Sequence, residues 1–269
     1  MSARVYLLLT LAFYAVGALS VLIQAVSRRR LLNRWNVTAS LLGFATHTAA
    51  LSQRWTEAGH FPIVGFHDGA SFLAWTTVLA FLATYLQTRE EVLGLAVHPT
   101  SFVLVLLAAL LPVSEREDPI LKSLFLPIHT TLALLGYGAL FVAFTMGVLY
   151  LIQERELRSR APRAFYYLIP SLERCDTIGG RSVEVGFAFL TLAIATGILW
   201  NLTRGPFWTS TPKEWSASAA WIIYVALLVA RHRSGWGGRR AALLGIAGFV
   251  IVVFTFFSVA FVRSVGGQA

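Results

Sequence analysis

Long apolar runs alternate with short polar stretches along the whole chain. Eight of them read as helices, at residues 5–26, 35–53, 70–87, 92–113, 125–152, 183–202, 215–230 and 241–262. At a rise of about 1.5 Å per residue, about 20 apolar residues cross the hydrocarbon core of a bilayer. Most of the eight approach that length, and the seventh is short enough to borrow its flanks. The first run has the look of a signal peptide, but Ser-Arg-Arg-Arg follows it, a stop-transfer pattern rather than a small-residue cleavage site. The pattern predicts an all-α, polytopic integral membrane bundle with about eight transmembrane helices. It predicts one transmembrane domain over residues 1–269, with both termini outside.

Composition supplies the reason for that architecture. Of 269 residues, 57 % are hydrophobic and 13 % charged, against roughly a quarter charged in an ordinary soluble domain. A water-soluble fold does not hide so much apolar surface, and the bilayer becomes the natural solvent. The single cysteine, Cys175, excludes an internal disulfide and a Cys-rich metal site.

The formal charge of +9 would suggest nucleic acid in a soluble protein, but here its placement explains it and no nucleic-acid partner is expected. Most of the 22 Lys and Arg residues fall on one set of loops, at Arg28–Arg30 and Arg34, at Arg89, between Arg155 and Arg181, and between Arg231 and Arg240. The positive-inside rule makes those loops cytoplasmic. The longest of them is the connection at 153–182, and 203–215 becomes an outer loop. No fixed-period repeat, Gly-rich phosphate loop or Walker pattern occurs, so the chain is no ATPase by itself.

Histidines carry the candidate chemistry. An ionisable side chain within a span is a functional candidate by default. His47 lies in the second run near its outer end, and His129 opens the fifth run at the same face, two residues after Pro127, which suits an early helical position. Imidazole is the commonest metal ligand, and two imidazoles from different helices can hold a haem iron axially. Haem is a flat apolar disc with two carboxylates, so it lies well against aromatic faces with Arg or Lys at its edge.

The third outer loop supplies Phe207, Trp208 and Trp215 together with Arg204 and Lys213. His60 and His67, on or beside the first outer loop, are spare ligand candidates. His98 and His232 read as structural residues on the cytoplasmic side, and Asp176 and Glu184 as acidic residues favoured near a helix start. Against the haem reading, Trp and Tyr belts occur on most membrane proteins, and an intramembrane His often serves helix–helix hydrogen bonding.

Several stretches together resemble the cytochrome c assembly protein family of the CcsA/CcmC/HemX type. They are Ile169-Pro-Ser-Leu-Glu-Arg-Cys-Asp-Thr-Ile-Gly-Gly-Arg181, Gly186-Phe187, Thr196-Gly197, Trp200, and above all Trp208, Pro212-Lys213-Glu214, Trp215 and Trp221-Ile-Ile-Tyr224. The last group follows the order of the family's Trp-rich "WWD" outer loop and the helix after it. His129 with Gly136-Tyr137-Gly138 falls where the family carries its first outer haem-ligand histidine.

The resemblance implies a haem-handling protein of the bacterial inner membrane that assists cytochrome c maturation beside other biogenesis membrane proteins. It implies noncovalent haem b held by His129 with His47 or an outer-loop histidine. Chemistry by the chain alone is not implied; at most it belongs to a haem lyase system. Three departures stand out. Thr211 replaces the family's Asp before the Pro, Ser210 replaces a Trp, and the last helix ends Phe261-Val-Arg-Ser-Val265 without the second outer histidine. They point to the shorter HemX- or YpjD-like branch, and to an alternative role as a regulatory or scaffold protein that binds no haem.

Overall fold

The computed structural model describes residues 2–27, 33–63, 65–111, 123–159, 168–203 and 208–265. Among these residues the regular secondary structure is all helix. Its elements are α1 (Ala3–Ser27), α2 (Asn33–Ala58), α3 (Gly65–Thr88), α4 (Gly94–Leu110), α5 (Phe125–Arg158), α6 (Leu172–Leu202), α7 (Pro212–Ser234) and α8 (Gly238–Val265). Six of them, α1, α3, α5, α6, α7 and α8, are long and apolar enough to cross a membrane. Helix α4 is apolar but has 17 residues. Helix α2 has 26, with Asn33, Arg34 and Asn36 at one end and Gln53, Arg54 and Glu57 at the other. The chain is a multi-pass helical membrane protein.

Several helices run a turn or more beyond the apolar runs, and the largest difference from the sequence expectation is at α6. Helix α6 begins at Leu172 rather than near residue 183, capped by the Ser171 side chain, which accepts from the Arg174 N–H. Much of the connection expected as a loop at 153–182 is therefore helix. Charges such as Glu173, Arg174, Asp176 and Arg181 end an apolar run without ending a helix, because the backbone hydrogen-bond ladder tolerates them once they lie beyond the hydrocarbon.

The helices cluster into two compact units. In the first, α1 packs on α2 and α4, and α3 on α4 and α2. Tyr14 of α1, fully buried, lies over Gly43 of α2, where an added Cβ would come within 2.4 Å of the ring. One turn on, Gly17 takes the His98 ring of α4 in the same way. His98 is fully buried and bonds Asn36 and Ser40 of α2 through Nε2. Such interhelical side-chain bonds contribute roughly 0.6–2 kcal/mol each within a membrane.

The second unit holds α5 through Glu154 and α6–α8. Its core joins Leu140 and Ala143 of α5 to Val183 and Leu190 of α6, Tyr224 of α7 and Val252 of α8. Gly136 and Gly186 let α5 and α6 approach backbone to backbone, since a Cβ on either would stand 3.2 Å from the other's carbonyl oxygen. The family-like residues of α7 act here as interhelical fasteners. Trp221 Nε1 donates to Thr191 Oγ1 at 3.0 Å, Tyr224 lies over Gly248, and Thr255 donates to Ser216 at 2.8 Å. At one end of the unit, Arg231 of α7 grips Asp176 of α6 with two parallel bonds of 2.9 and 3.1 Å, and the Gly238 N–H that opens α8 donates to the same carboxylate at 2.9 Å.

Candidate functional site

The opposite end of the second unit brings together the first turn of α5, the last turns of α6 and the start of α7. His129 is partly buried there. Its Nδ1 lies 2.7 Å from the Ala193 carbonyl oxygen of α6. A carbonyl only accepts, so Nδ1 carries the proton and, in the neutral ring, Nε2 carries the lone pair. A carbonyl that accepts from the far ring nitrogen in this way fixes both tautomer and ring direction in metal-ligating histidines. Gly197, one turn after Ala193, leaves room for the ring, because a Cβ there would stand 3.0 Å from Cε1 and 3.1 Å from Nδ1. The Trp200 ring lies 6.4 Å away, centre to centre. Lys213 Nζ points at Nε2 from α7 at 3.5 Å. His232, the other histidine of this unit, sits in the last turn of α7, so this end offers one imidazole.

The polar knot before α7 is built around Glu214. Its carboxylate accepts from the Thr209 N–H and hydroxyl, the Thr211 N–H and the Asn201 amide, at 2.8–3.2 Å. Thr211 is the N-cap and returns the bond to the Glu214 N–H, which completes a capping box with Pro212 at the start of the helix. This gives the departure at Thr211 a physical account. Thr and Asp are both favoured N-caps, so the exchange removes a charge and keeps the cap. Ser210, in place of the family's Trp, takes a left-handed φ of 58°. The Glu214 network holds that local strain on both sides. Thr211→Ala is expected to lower stability by about 1 kcal/mol and Thr211→Asp to leave it unchanged, measured by thermal unfolding in detergent.

The remaining candidates divide as follows. Trp208 and Trp215 form an edge-to-face pair 5.3 Å apart, with Trp215 62 % exposed. Arg204 and Phe207, like Arg28–Arg30, lie outside the described residues. His47 belongs to the first unit and is fully buried. Its Nδ1 meets the Tyr14 hydroxyl at 3.2 Å and its Nε2 the Ser71 hydroxyl at 2.9 Å. Both ring nitrogens are thus engaged, and iron ligation at His47 would have to break one of these bonds.

His67 gives its Nδ1 proton to the Ala108 carbonyl oxygen and stands beside Asp68. His60 bonds the carbonyl of its neighbour Phe61. No group of three or more His, Cys, Asp or Glu side chains is arranged to hold a bare metal ion among the described residues. Ala193 and Gly197 were missed as site residues, because what they contribute is a backbone oxygen and empty space. Thr196-Gly197 in the family-like stretch was the one available signal.

The model of the Cytochrome C assembly protein family matches residues 64–265. The chain belongs to the cytochrome c assembly protein family. Among its relatives, the cytochrome c biogenesis protein CcsA of Guillardia theta is 31 % identical over 246 residues, covering 83 % of this chain and 81 % of that one. CcsA of Prochlorococcus marinus (strain MIT 9303) is 30 % identical over 243 residues, covering 79 % and 76 %. Both carry the CcsA name rather than that of the shorter HemX branch. Among solved structures, the cytochrome c heme lyase CcmF superposes with a TM-score of 0.67 at 14 % identity. That likeness is one of fold, and it covers 99 % of this chain and 50 % of the lyase, so the chain spans half the lyase's length.

Proposed function

We propose that this family member holds haem noncovalently at the outer face of the bacterial inner membrane, where His129 Nε2 would ligate the iron, and supplies it for cytochrome c maturation beside other biogenesis membrane proteins. The observation that carries the reading is the His129 Nδ1–Ala193 hydrogen bond, which presents the other nitrogen as a lone pair. The donor set fits haem in three further respects. Gly197 keeps one side of the ring clear, and the exposed Lys213 ammonium, whose long 3.5 Å contact with Nε2 must give way to iron, then becomes a cation for a carboxylate edge. Trp208 and Trp215 offer aromatic faces on the same loop.

The iron would contribute a Lewis-acidic centre that accepts the imidazole nitrogen. The chain's own part is to orient that nitrogen, meet the carboxylates and keep the loop rigid through Glu214. Ligation needs an unprotonated Nε2, so a proton competes with iron and haem affinity falls as pH falls.

In a host whose own assembly protein has been deleted, the wild-type chain is expected to restore covalent haem on a reporter cytochrome c. His129→Ala, present in the membrane at equal amount, is expected to lower it at least tenfold. Equal haem staining with the variant would refute the assignment of His129.

A further inference from the structure

The first unit contains a cavity of about 450 Å³ that the haem reading does not use. It lies where α1 and α3 begin and α2 and α4 end, and its size falls in the range of roughly 300–1,000 Å³ typical of small-molecule sites. The interior groups are already satisfied. Ser71 is bonded to His47, and His67 to the Ala108 carbonyl. Arg54 Nε lies 3.5 Å from Asp68 Oδ1, with the Asp68 side chain 1 % exposed, so this inner pair neutralises itself.

The rim is different. Arg4 is exposed and has no carboxylate partner among the described residues. Glu57, also exposed, uses Oε1 for the Ala3 N–H at 3.0 Å and the Gln53 amide at 3.4 Å, and its side chain lines the cavity. Leu7 and Ala50 give an apolar floor, and Leu110 and Leu111 continue that surface outward at 73 % and 40 % exposure.

We propose that this cavity seats the head of one amino-phospholipid, with its phosphate on Arg4, its primary ammonium on Glu57 and its chains running over Leu110 and Leu111. Three arguments select that ligand. The ends of spanning helices lie at headgroup depth. The rim carries one charge of each sign, so the site is dipolar and neutral overall. A purely anionic head gains from Arg4 what it loses to Glu57, whereas a zwitterion gains from both. A primary ammonium also has three N–H donors for a carboxylate, which a trimethylated choline head lacks. The proposal does not rest on haem binding.

The test is native mass spectrometry of the full chain released from nanodiscs holding equal parts phosphatidylethanolamine, phosphatidylglycerol and phosphatidylcholine. One phosphatidylethanolamine is expected to stay bound, about fivefold in preference to each of the others, the effect of a single interfacial charge. Glu57→Gln, which keeps an acceptor for the Ala3 N–H, is expected to abolish the preference. Arg4→Gln is expected to lower retention of all three about fivefold. Equal retention of the three lipids would overturn the proposal, as would unchanged retention in both variants at wild-type melting temperature. Haem spectra are expected to be the same in all three proteins, so a failure here is separable from a failure at His129.

Discussion

Asp176→Ala is expected to unfasten one end of the second helical unit and to cost on the order of 3 kcal/mol. Its carboxylate joins α6 to both α7 and α8 there. Arg231 holds it by two parallel bonds, a third reaches the Asp176 backbone carbonyl at 3.3 Å, and the Gly238 N–H adds another. The pair is partly shielded, with side-chain exposures of 19 % for Arg231 and 27 % for Asp176, so removing one partner leaves a poorly solvated charge. Gly180 lies flat against the guanidinium, where a Cβ would meet Nη2 at 2.6 Å.

The fork geometry is therefore required. Arg231→Lys is expected to lose most of the stabilisation as well, because an ammonium has no second arm. Asp176→Asn is expected to fall between, since it keeps an acceptor for Gly238 and loses the charge. Thermal unfolding in detergent ranks the variants. Wild-type melting for Asp176→Ala would show that the clasp contributes nothing.

Gly197→Val is expected to lower haem affinity by about 10–100-fold, the usual effect of disturbing a group that orients a metal ligand. A side chain at this position would enter the 3.0 Å space beside the His129 ring and push it off the Ala193 oxygen. The variant separates positioning from folding. Glycine inside a helix is intrinsically unfavourable by about 1 kcal/mol relative to alanine, and valine also outranks it, which offsets part of the cost of displacing the ring, so the variant is expected to stay folded as haem is lost. Haem titration and thermal unfolding of the same sample read both effects. Unchanged affinity would mean that the Nδ1 contact does not orient the ligand.

How far these features were legible in the sequence depends on their physics. Apolar run length fixed the number and approximate place of the helices, because the bilayer sets that length whatever the side chains are. It misplaced the start of α6, where Glu173 and Asp176 interrupt hydropathy but not the helix. Arg231 looked like one more basic residue of a cytoplasmic loop, and its partner Asp176 like a helix-start acid. Nothing local shows that residues 55 positions apart share a clasp. Lys213 and His129 were both singled out, for different reasons, and the fold brings them to 3.5 Å.

His47 stood out for the right reason, as a histidine within a helix. But Tyr14 and Ser71, which engage its nitrogens, lie on other helices and carry no motif. The string of Thr, Ser, Pro, Lys and Glu before α7 has its reason in the backbone N–H groups that Glu214 and Thr211 satisfy, partners that composition does not show.

The central claim is that His129 presents Nε2 to haem, and the most direct measurement is the optical spectrum of the detergent-purified, haem-supplemented protein, oxidised and then reduced, beside His129→Ala and His47→Ala. The account predicts a sharp Soret band for the wild type, its loss in His129→Ala, and its survival in His47→Ala, whose ring nitrogens are committed to Tyr14 and Ser71. A wild-type spectrum in a folded His129→Ala variant, or a flat spectrum in the wild type, would contradict it.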